Sequence, residues 1–307
     1  MTFNAEGESK IYEDASHCII QGDALENLKR LESESVNLIF ADPPYNIGKN
    51  FDGLVEDWLE EEFLSWTYQW IDECHRVLKP NGTFYLMNST ENMPYLDIKC
   101  RKSFCVKSRI VWTYDSSGVQ AKNHFGSLYE PILMLTKHEK NYTFNAVDIQ
   151  VEAKTGAKRQ LIDYRKEPPQ PYNTHKVPGN VWDFSRVRFK MEEYENHPTQ
   201  KPEALLERII LASSNVGDLV LDPFSGSFST SAVAKRLGRR SIGIEINEDY
   251  IKIGIRRLNL PSTYTFEELE KQKKRKTKNL SKQSRTLLRD QPKHMFHYPD
   301  SVNVLTQ

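Results

Sequence analysis

The sequence predicts an α/β domain built on a doubly wound, mostly parallel sheet. Three observations carry that expectation. Short apolar strands alternate with longer amphipathic segments along most of the 307 residues. Two strand ends carry an acid followed at once by proline, ADPPYN at 41–46 and LDPFSGS at 221–227. Right-handed crossovers would set both corners on one edge of the sheet, where open α/β sheets hold ligands.

The elements follow in order. CIIQ (18–21) reads as a strand leading into a helix-like ALENLKRL. VNLIF (36–40) is a second strand, and Pro43 and Pro44 stop it because neither ring donates to a ladder. From about 57 to 78, Trp58, Leu59, Phe63, Trp66, Trp70, Ile71, Cys74 and Leu78 recur at helical spacing. KPNG (79–82) is expected to stop that helix, with TFYLM (83–87) as the next strand. MPYLDIKCRKSF suggests another helix. KSRIVWTY (107–114) and LYEPILMLTK (128–137) read as strands around a polar loop, 115–127. The pattern then breaks over 138–196, a stretch rich in Pro, Tyr, Lys and Arg that resembles long binding loops. Order returns with a helix in KPEALLERIILAS, opened by Pro202. Two strand–turn–helix units follow, over 218–238 and 240–258. After Pro261 the chain is charged and weakly patterned, and a mobile tail is expected.

Composition narrows the classes. Hydrophobic residues make up 38% and charged residues 27%, as in soluble globular proteins. No apolar run approaches the ~20 residues of a membrane span. The first residues carry neither a basic start nor an apolar stretch, so no secretory signal is expected. Four cysteines without CxxC spacing fit a reduced, cytoplasmic setting rather than disulfides or zinc. His17, His75, His124, His138 and His175 show no metal-ligand spacing, and no metal is expected. Net charge is zero but unevenly spread. Residues 1–62 hold fifteen acids and four bases, 154–190 nine bases and three acids, and 271–289 nine bases and no acid. Separated basic segments on a neutral chain suggest a local polyanion-binding surface.

The two proline corners suggest complementary halves of one site. In LVLDPFSGSFSTSAVA a strand ends in an acid, a small-residue turn follows, and a helix N-terminus faces the crevice. Glu245 stands nineteen residues after Gly226, at the end of the next strand, placed to take both ribose hydroxyls of a nucleoside. The GxGxxG fingerprint of a pyrophosphate site is missing, which favours a nucleoside without phosphates, such as S-adenosylmethionine. In the other corner Asp42 offers a carboxylate, the Pro43 carbonyl a second acceptor and Tyr45 a stacking ring. Such acceptors can make the delocalised amine of a nucleobase more nucleophilic and stabilise the positive charge that grows on it. None of the cysteines follows a proline, as the thiol of a cytosine-C5 enzyme would.

On these residues the chain resembles the amino-methyltransferases of DNA, in the circularly permuted order of the β group. Asp42-Pro43-Pro44-Tyr45 matches the catalytic motif, and Asp222-Pro223-Phe224-Ser225-Gly226-Ser227 the cofactor turn. Glu245 matches the ribose acid, Asp23 the acid facing the cofactor's adenine, and 197–202, HPTQKP, the segment before the cofactor half. NSTENMP, YDSSGVQAK, PPQPYN and VPGNVWDF look like runs of the orphan enterobacterial adenine enzymes in this group. One departure is Phe228, where a small residue is common.

The resemblance implies a Rossmann-like S-adenosylmethionine-dependent methyltransferase fold with an inserted target-recognition region. Its catalytic half would span 17–137, target recognition 138–196 and the cofactor half 197–260, with a basic tail over 261–307. Thr199, Gln200, Lys201 and Asn247 would join the cofactor residues. The implied reaction is N6-methylation of a flipped adenine in double-stranded DNA. Arg159, Arg165, Arg186, Arg188 and Lys122 are candidate DNA contacts, and Lys273, Lys274 and Arg275 would add non-specific affinity. The family allows a homodimer, and nothing in the sequence indicates a partner restriction enzyme. N4-cytosine, RNA or protein amides stay open as targets, as does a DNA-binding module with an inactive site.

Overall fold

The structure, a computed structural model, describes residues 9–48, 50–51, 54–55, 58–115, 122–154, 159–260 and 263–265. Its frame is a ten-stranded sheet. The strands are β1 (Lys10–Glu13), β2 (His17–Gln21), β3 (Val36–Ala41), β4 (Leu78–Met87), β5 (Cys105–Thr113), β6 (Tyr129–Thr136), β7 (Val181–Asp183), β8 (Leu219–Asp222), β9 (Arg240–Glu245) and β10 (Thr263–Thr265). Their spatial order is β7-β5-β6-β4-β3-β8-β9-β2-β1-β10. The centre, β4-β3-β8-β9-β2, is parallel throughout, and antiparallel pairs flank it.

Among the described residues, six helices cover the sheet: α1 (Ala24–Arg30), α2 (Glu60–Val77), α3 (Met93–Cys100), α4 (Glu203–Ser213), α5 (Ser229–Arg236) and α6 (Glu248–Leu258). Successive strand residues point to opposite faces, and β3 divides accordingly. Ile39 and Ala41 pack with Trp70, Ile71 and Cys74 of α2 and with Leu28 of α1. Leu38 and Phe40 pack with Leu205, Ile209 and Ile210 of α4 and Val233 of α5. Burial on both faces is why Leu38, Ile39 and Phe40 are apolar in succession rather than alternating with polar residues. Each fully buried large side chain here contributes about 1.5–3 kcal/mol. No helix among the described residues is long and apolar enough to cross a membrane.

Several expectations shift in detail. α2 ends at Val77, just ahead of KPNG, but 79–82 fall within the β4 span rather than in a separate turn. The β3–β4 register shifts there, from Val36 opposite Leu78 to Leu38 opposite Thr83, so 79–82 form an irregularity in the ladder. β1 lies ahead of the first expected strand and pairs antiparallel with β2. Past Pro261, where only a mobile tail is expected, Thr263–Thr265 pairs with β1 as the sheet's edge. The irregular stretch 138–196 carries two-residue strands, and its Val181–Asp183 joins the main sheet parallel to β5.

Candidate active site

β3 and β8 are adjacent and parallel, so their carboxyl ends lie side by side. Asp42 follows the last residue of β3 and Asp222 is the last of β8. Both proline corners open on one cavity of about 400 Å³, inside the usual range for small-molecule sites. Of the residues expected to contact cofactor or base, Asp23, Asp42, Tyr45, Asp222, Phe224 and Glu245 all line it. Pro43, Pro44, Thr199, Gln200, Lys201, Pro223, Ser225, Gly226, Ser227 and Asn247 do so too.

The corner around Asp222 and Glu245 is held by backbone donors. Glu245 accepts the Gly226 N–H on Oε2 at 2.8 Å, and the Ile246 and Asn247 N–H groups on Oε1 at 2.9 and 2.8 Å. A carboxylate has about four acceptor positions, so capacity remains for a ligand hydroxyl. Burial raises the Glu245 pKa, and the three N–H groups pull the other way. Asp222 accepts the Thr230 hydroxyl at 2.6 Å and the Phe224 N–H at 3.0 Å. Burial nevertheless pushes its pKa up to about 7. Ser225 donates to the Asp222 carbonyl at 2.9 Å and closes the turn.

Two of the expected cofactor residues are also helix caps. Asp23 accepts the Glu26 N–H at the start of α1, and Asn247 those of Asp249 and Tyr250 at the start of α6. Such caps contribute typically ~1 kcal/mol each. The Gly22 N–H bonds the Glu245 carbonyl at 2.9 Å, tying both helix starts to one edge. In the 197–202 segment Gln200 bonds the Glu193 carbonyl and the Glu195 N–H, fixing the approach of the preceding loop. His197 stacks edge-on against Tyr250 and accepts the Thr199 N–H, so it packs the wall.

Phe228 adopts a left-handed conformation, φ 57°, ahead of α5, and is fully buried. Its ring occupies the space that a Cβ on Gly243 or Gly254 would need, at 2.7 and 2.5 Å. Two glycines on β9 and α6 therefore accommodate the large residue.

The corner around Asp42 is more crowded than its sequence alone suggests. Asp42 Oδ1 accepts the Tyr45 hydroxyl at 2.6 Å, and Oδ2 pairs with Lys201 Nζ at 2.6 Å. Glu130 of β6 lies behind them: its Oε2 is 3.1 Å from the Tyr45 hydroxyl and 3.5 Å from Lys201 Nζ. Its Oε1 accepts the Tyr114 hydroxyl at 3.3 Å. Burial raises the Asp42 pKa, Lys201 opposes that rise, and Glu130 adds to it. Burial alone would lower the Lys201 pKa, but the two carboxylates outweigh it and the ammonium is retained. Asn92 steadies the corner by donating to the Tyr45 carbonyl at 2.7 Å.

Glu130, Tyr114, Trp58 and Trp66 lie outside the expected site set. An acid inside the apolar run LYEPILMLTK is the signal for Glu130, because a lone buried charge needs a partner. Trp66 and Trp70 stack edge-on against Phe224 of the cofactor turn at 5.8 and 5.0 Å, so the aromatic stripe of α2 braces the cavity. Of the candidate DNA contacts, Arg186 lines the cavity, 4.8 Å over the Tyr114 ring. Arg188 donates to the Asp115 carbonyl at 3.3 Å. Arg165 is held by Asp163 through two bonds of 2.8 and 3.0 Å. Arg159 and Lys122 are exposed, while Lys273, Lys274 and Arg275 lie outside the described residues. No group of three or more His, Cys, Asp or Glu side chains suited to a metal occurs among the described residues.

Comparisons with known proteins agree with this geometry. The family model described as DNA methylase, of the N6/N4 type, matches residues 36–256. The chain is 70% identical over 267 residues to the DNA adenine methyltransferase YhdJ of Escherichia coli (strain K12), covering 87% of this chain and 91% of the relative. It is 39% identical to the type II methyltransferase M.HpaI of Haemophilus parainfluenzae, over 86% of this chain and 80% of that one. Among solved structures, the M1.HpyAVI–SAM complex is 26% identical with a TM-score of 0.55, covering 79% of this chain and 98% of that one. The PvuII cytosine-N4-specific DNA methyltransferase shares the fold, with a TM-score of 0.61 at 18% identity, covering 80% and 89%. From motif order, site geometry and these likenesses together, the chain belongs to the N6/N4 DNA methylase family.

Proposed function

We propose that the protein transfers a methyl group from S-adenosylmethionine to N6 of an adenine flipped out of duplex DNA. The observation that carries this reading is the placement of Asp42 beside the cofactor turn in one shared cavity. The 70% likeness to a DNA adenine methyltransferase supports adenine as the base.

The donor set suits the cofactor. Asp23, Asp222 and Glu245 are acids, which fit ribose hydroxyls and a cation better than phosphates. When bound, S-adenosylmethionine supplies an electrophilic methyl on a sulfonium. Glu245, fixed by three N–H groups, would hold the ribose, and Phe224, braced by Trp66 and Trp70, would line the wall beside it. Proximity and alignment then supply much of the rate.

Asp42 would accept one N–H of the target amine and the Pro43 carbonyl the other. With two carboxylates around one ammonium, the Asp42–Lys201–Glu130 cluster is net negative, which favours the positive charge that grows on N6. Asp42 also stands ready to take the proton that N6 must lose, and burial strengthens its hold on that proton. Tyr45 would stack on the base. Arg186, Arg188, Arg159 and Lys122 are proposed phosphate contacts, and 138–196 the target-recognition region. Duplex DNA as substrate implies a nucleoid-associated, cytoplasmic setting.

Asp42→Ala tests the assignment. The variant should bind S-adenosylmethionine with near wild-type affinity by calorimetry and transfer no methyl group to DNA. Transfer at the wild-type rate would remove Asp42 from the mechanism.

A further inference from the structure

Both oxygens of Asp42 are engaged at short distance, Oδ1 by the Tyr45 hydroxyl and Oδ2 by Lys201 Nζ, each at 2.6 Å. An incoming amine N–H would have to compete with a hydroxyl and an ammonium for that carboxylate. Both donors already have a second acceptor within reach. Glu130 Oε2 lies 3.1 Å from the Tyr45 hydroxyl and 3.5 Å from Lys201 Nζ. A tyrosine hydroxyl carries one proton, so a full hydrogen bond goes to one of the two carboxylates at a time. The distances put it on Asp42 at rest. Lys201 has three protons, and one of its remaining acceptors is the Thr199 carbonyl at 3.3 Å. A small movement of either donor strengthens its bond to Glu130 and frees Asp42.

We propose that Glu130 is a positioning residue that takes over the Tyr45 and Lys201 donors when the target amine enters, uncovering Asp42 as an acceptor. The inference rests on the reading of Asp42 as the acceptor of the amine N–H. No covalent bond changes in this step; one hydrogen bond from Tyr45 and one from Lys201 shift from Asp42 to Glu130. The site is built for it. Glu130 and Asp42 are each 15% exposed at the side chain and Lys201 9%, so water competes little for these donors. Glu130 is held from the other side by the Tyr114 hydroxyl, whose ring lies beneath Arg186. It reaches the site because β6 runs antiparallel to both β4 and β5, with Glu130 opposite Trp112. Without Glu130 both donors would stay on Asp42 and mask it.

The test uses full-length protein, unmethylated duplex DNA and S-adenosylmethionine, with Glu130→Gln as the near-isosteric variant and Glu130→Ala beside it. Cofactor affinity by calorimetry should stay within about twofold, since Glu130 touches none of the cofactor acids. The methyl-transfer constant at saturating DNA should fall about 10- to 100-fold, the scale of a lost charged hydrogen-bond partner, with KM little changed. A fall in kcat alone could still reflect loosened packing, so two further readouts decide. Tyr45→Phe removes a masking donor, so Tyr45→Phe with Glu130→Gln should lose less activity than the product of the single losses. The acid limb of the rate should move to lower pH in Glu130→Gln, because a negative charge beside Asp42 has gone. The groups facing Asp42 in that titration are Tyr45, Lys201 and Glu130, with Tyr114 and Arg186 behind and Asp222 on the neighbouring strand. Wild-type kcat in Glu130→Gln, a loss confined to KM, single losses that multiply, or an unmoved acid limb would each overturn the proposal. Failure of the parent reading shows separately, as wild-type protein that methylates no base, or as Asp42→Ala that is unimpaired.

Discussion

Replacing Lys201 with methionine should destabilise the protein strongly, and more at alkaline than at acidic pH. Lys201 is 9% exposed and is the cation between two carboxylates, at 2.6 Å from Asp42 and 3.5 Å from Glu130. At an effective dielectric of about 20 these contacts are worth about 6 and 5 kcal/mol before desolvation is counted. Removing one partner of a buried pair costs a net ~3–5 kcal/mol, because the remaining charge is left buried and unpaired. For a domain of this size that is a fall in Tm of roughly 10 °C. Asp42 and Glu130 would then face each other across a single hydroxyl, and one of them should hold a proton. The Asp42 pKa is already raised by burial and rises further without the ammonium. A carboxyl with a raised folded-state pKa binds a proton that the unfolded chain has released, so stability falls as pH rises through that pKa. The Tm deficit of Lys201→Met should therefore be larger near pH 8 than near pH 5.5. Thermal unfolding by circular dichroism at both values measures it. A deficit equal at both, or under about 1 kcal/mol at both, would refute a buried, charge-compensating lysine.

Three further substitutions probe the proposed cofactor half. Glu245→Ala should raise the S-adenosylmethionine Kd about 10- to 100-fold, since it removes an acceptor for the ribose and orphans the N–H groups of Gly226, Ile246 and Asn247. Calorimetry reads this directly, and an unchanged Kd would reassign Glu245 to folding alone. Gly254→Ala places a Cβ 2.5 Å from the Phe228 ring and should cost about 1–3 kcal/mol by overpacking. Phe228→Ala should cost about 3–5 kcal/mol through the cavity it leaves. Urea unfolding of the double variant should show less than the summed loss, because the new methyl occupies part of the space vacated.

Much of this architecture is legible in the sequence because it is local. The strand, proline corner and helix in LVLDPFSGSFSTSAVA follow one another within sixteen residues, and Glu245 closes the unit on the next strand. A short apolar run and a helical apolar spacing separate β3 from α2 without reference to the rest of the chain. The illegible parts are long-range. Glu130 is 88 positions from Asp42 in sequence and reaches it only through the antiparallel β4–β6–β5 ladder. Lys201 reads as part of a cofactor-flanking segment, yet its ammonium lies on Asp42, the proposed catalytic residue. β7 is three residues within an irregular stretch, and its register on β5 depends on Trp112 and Trp182 meeting across the sheet. KPNG carries turn chemistry yet falls within the β4 span, and the β3–β4 register passes over it, from Leu78 to Thr83.

The most direct test of the central claim is identification of the methylated nucleoside. Wild-type protein and Asp42→Ala are incubated with S-adenosylmethionine and unmethylated duplex DNA, and the DNA is digested and resolved by mass spectrometry. N6-methyladenine that accumulates with wild type and is absent with Asp42→Ala is the expected result. N4-methylcytosine in its place, or no methylated nucleoside from protein that binds the cofactor, would contradict it.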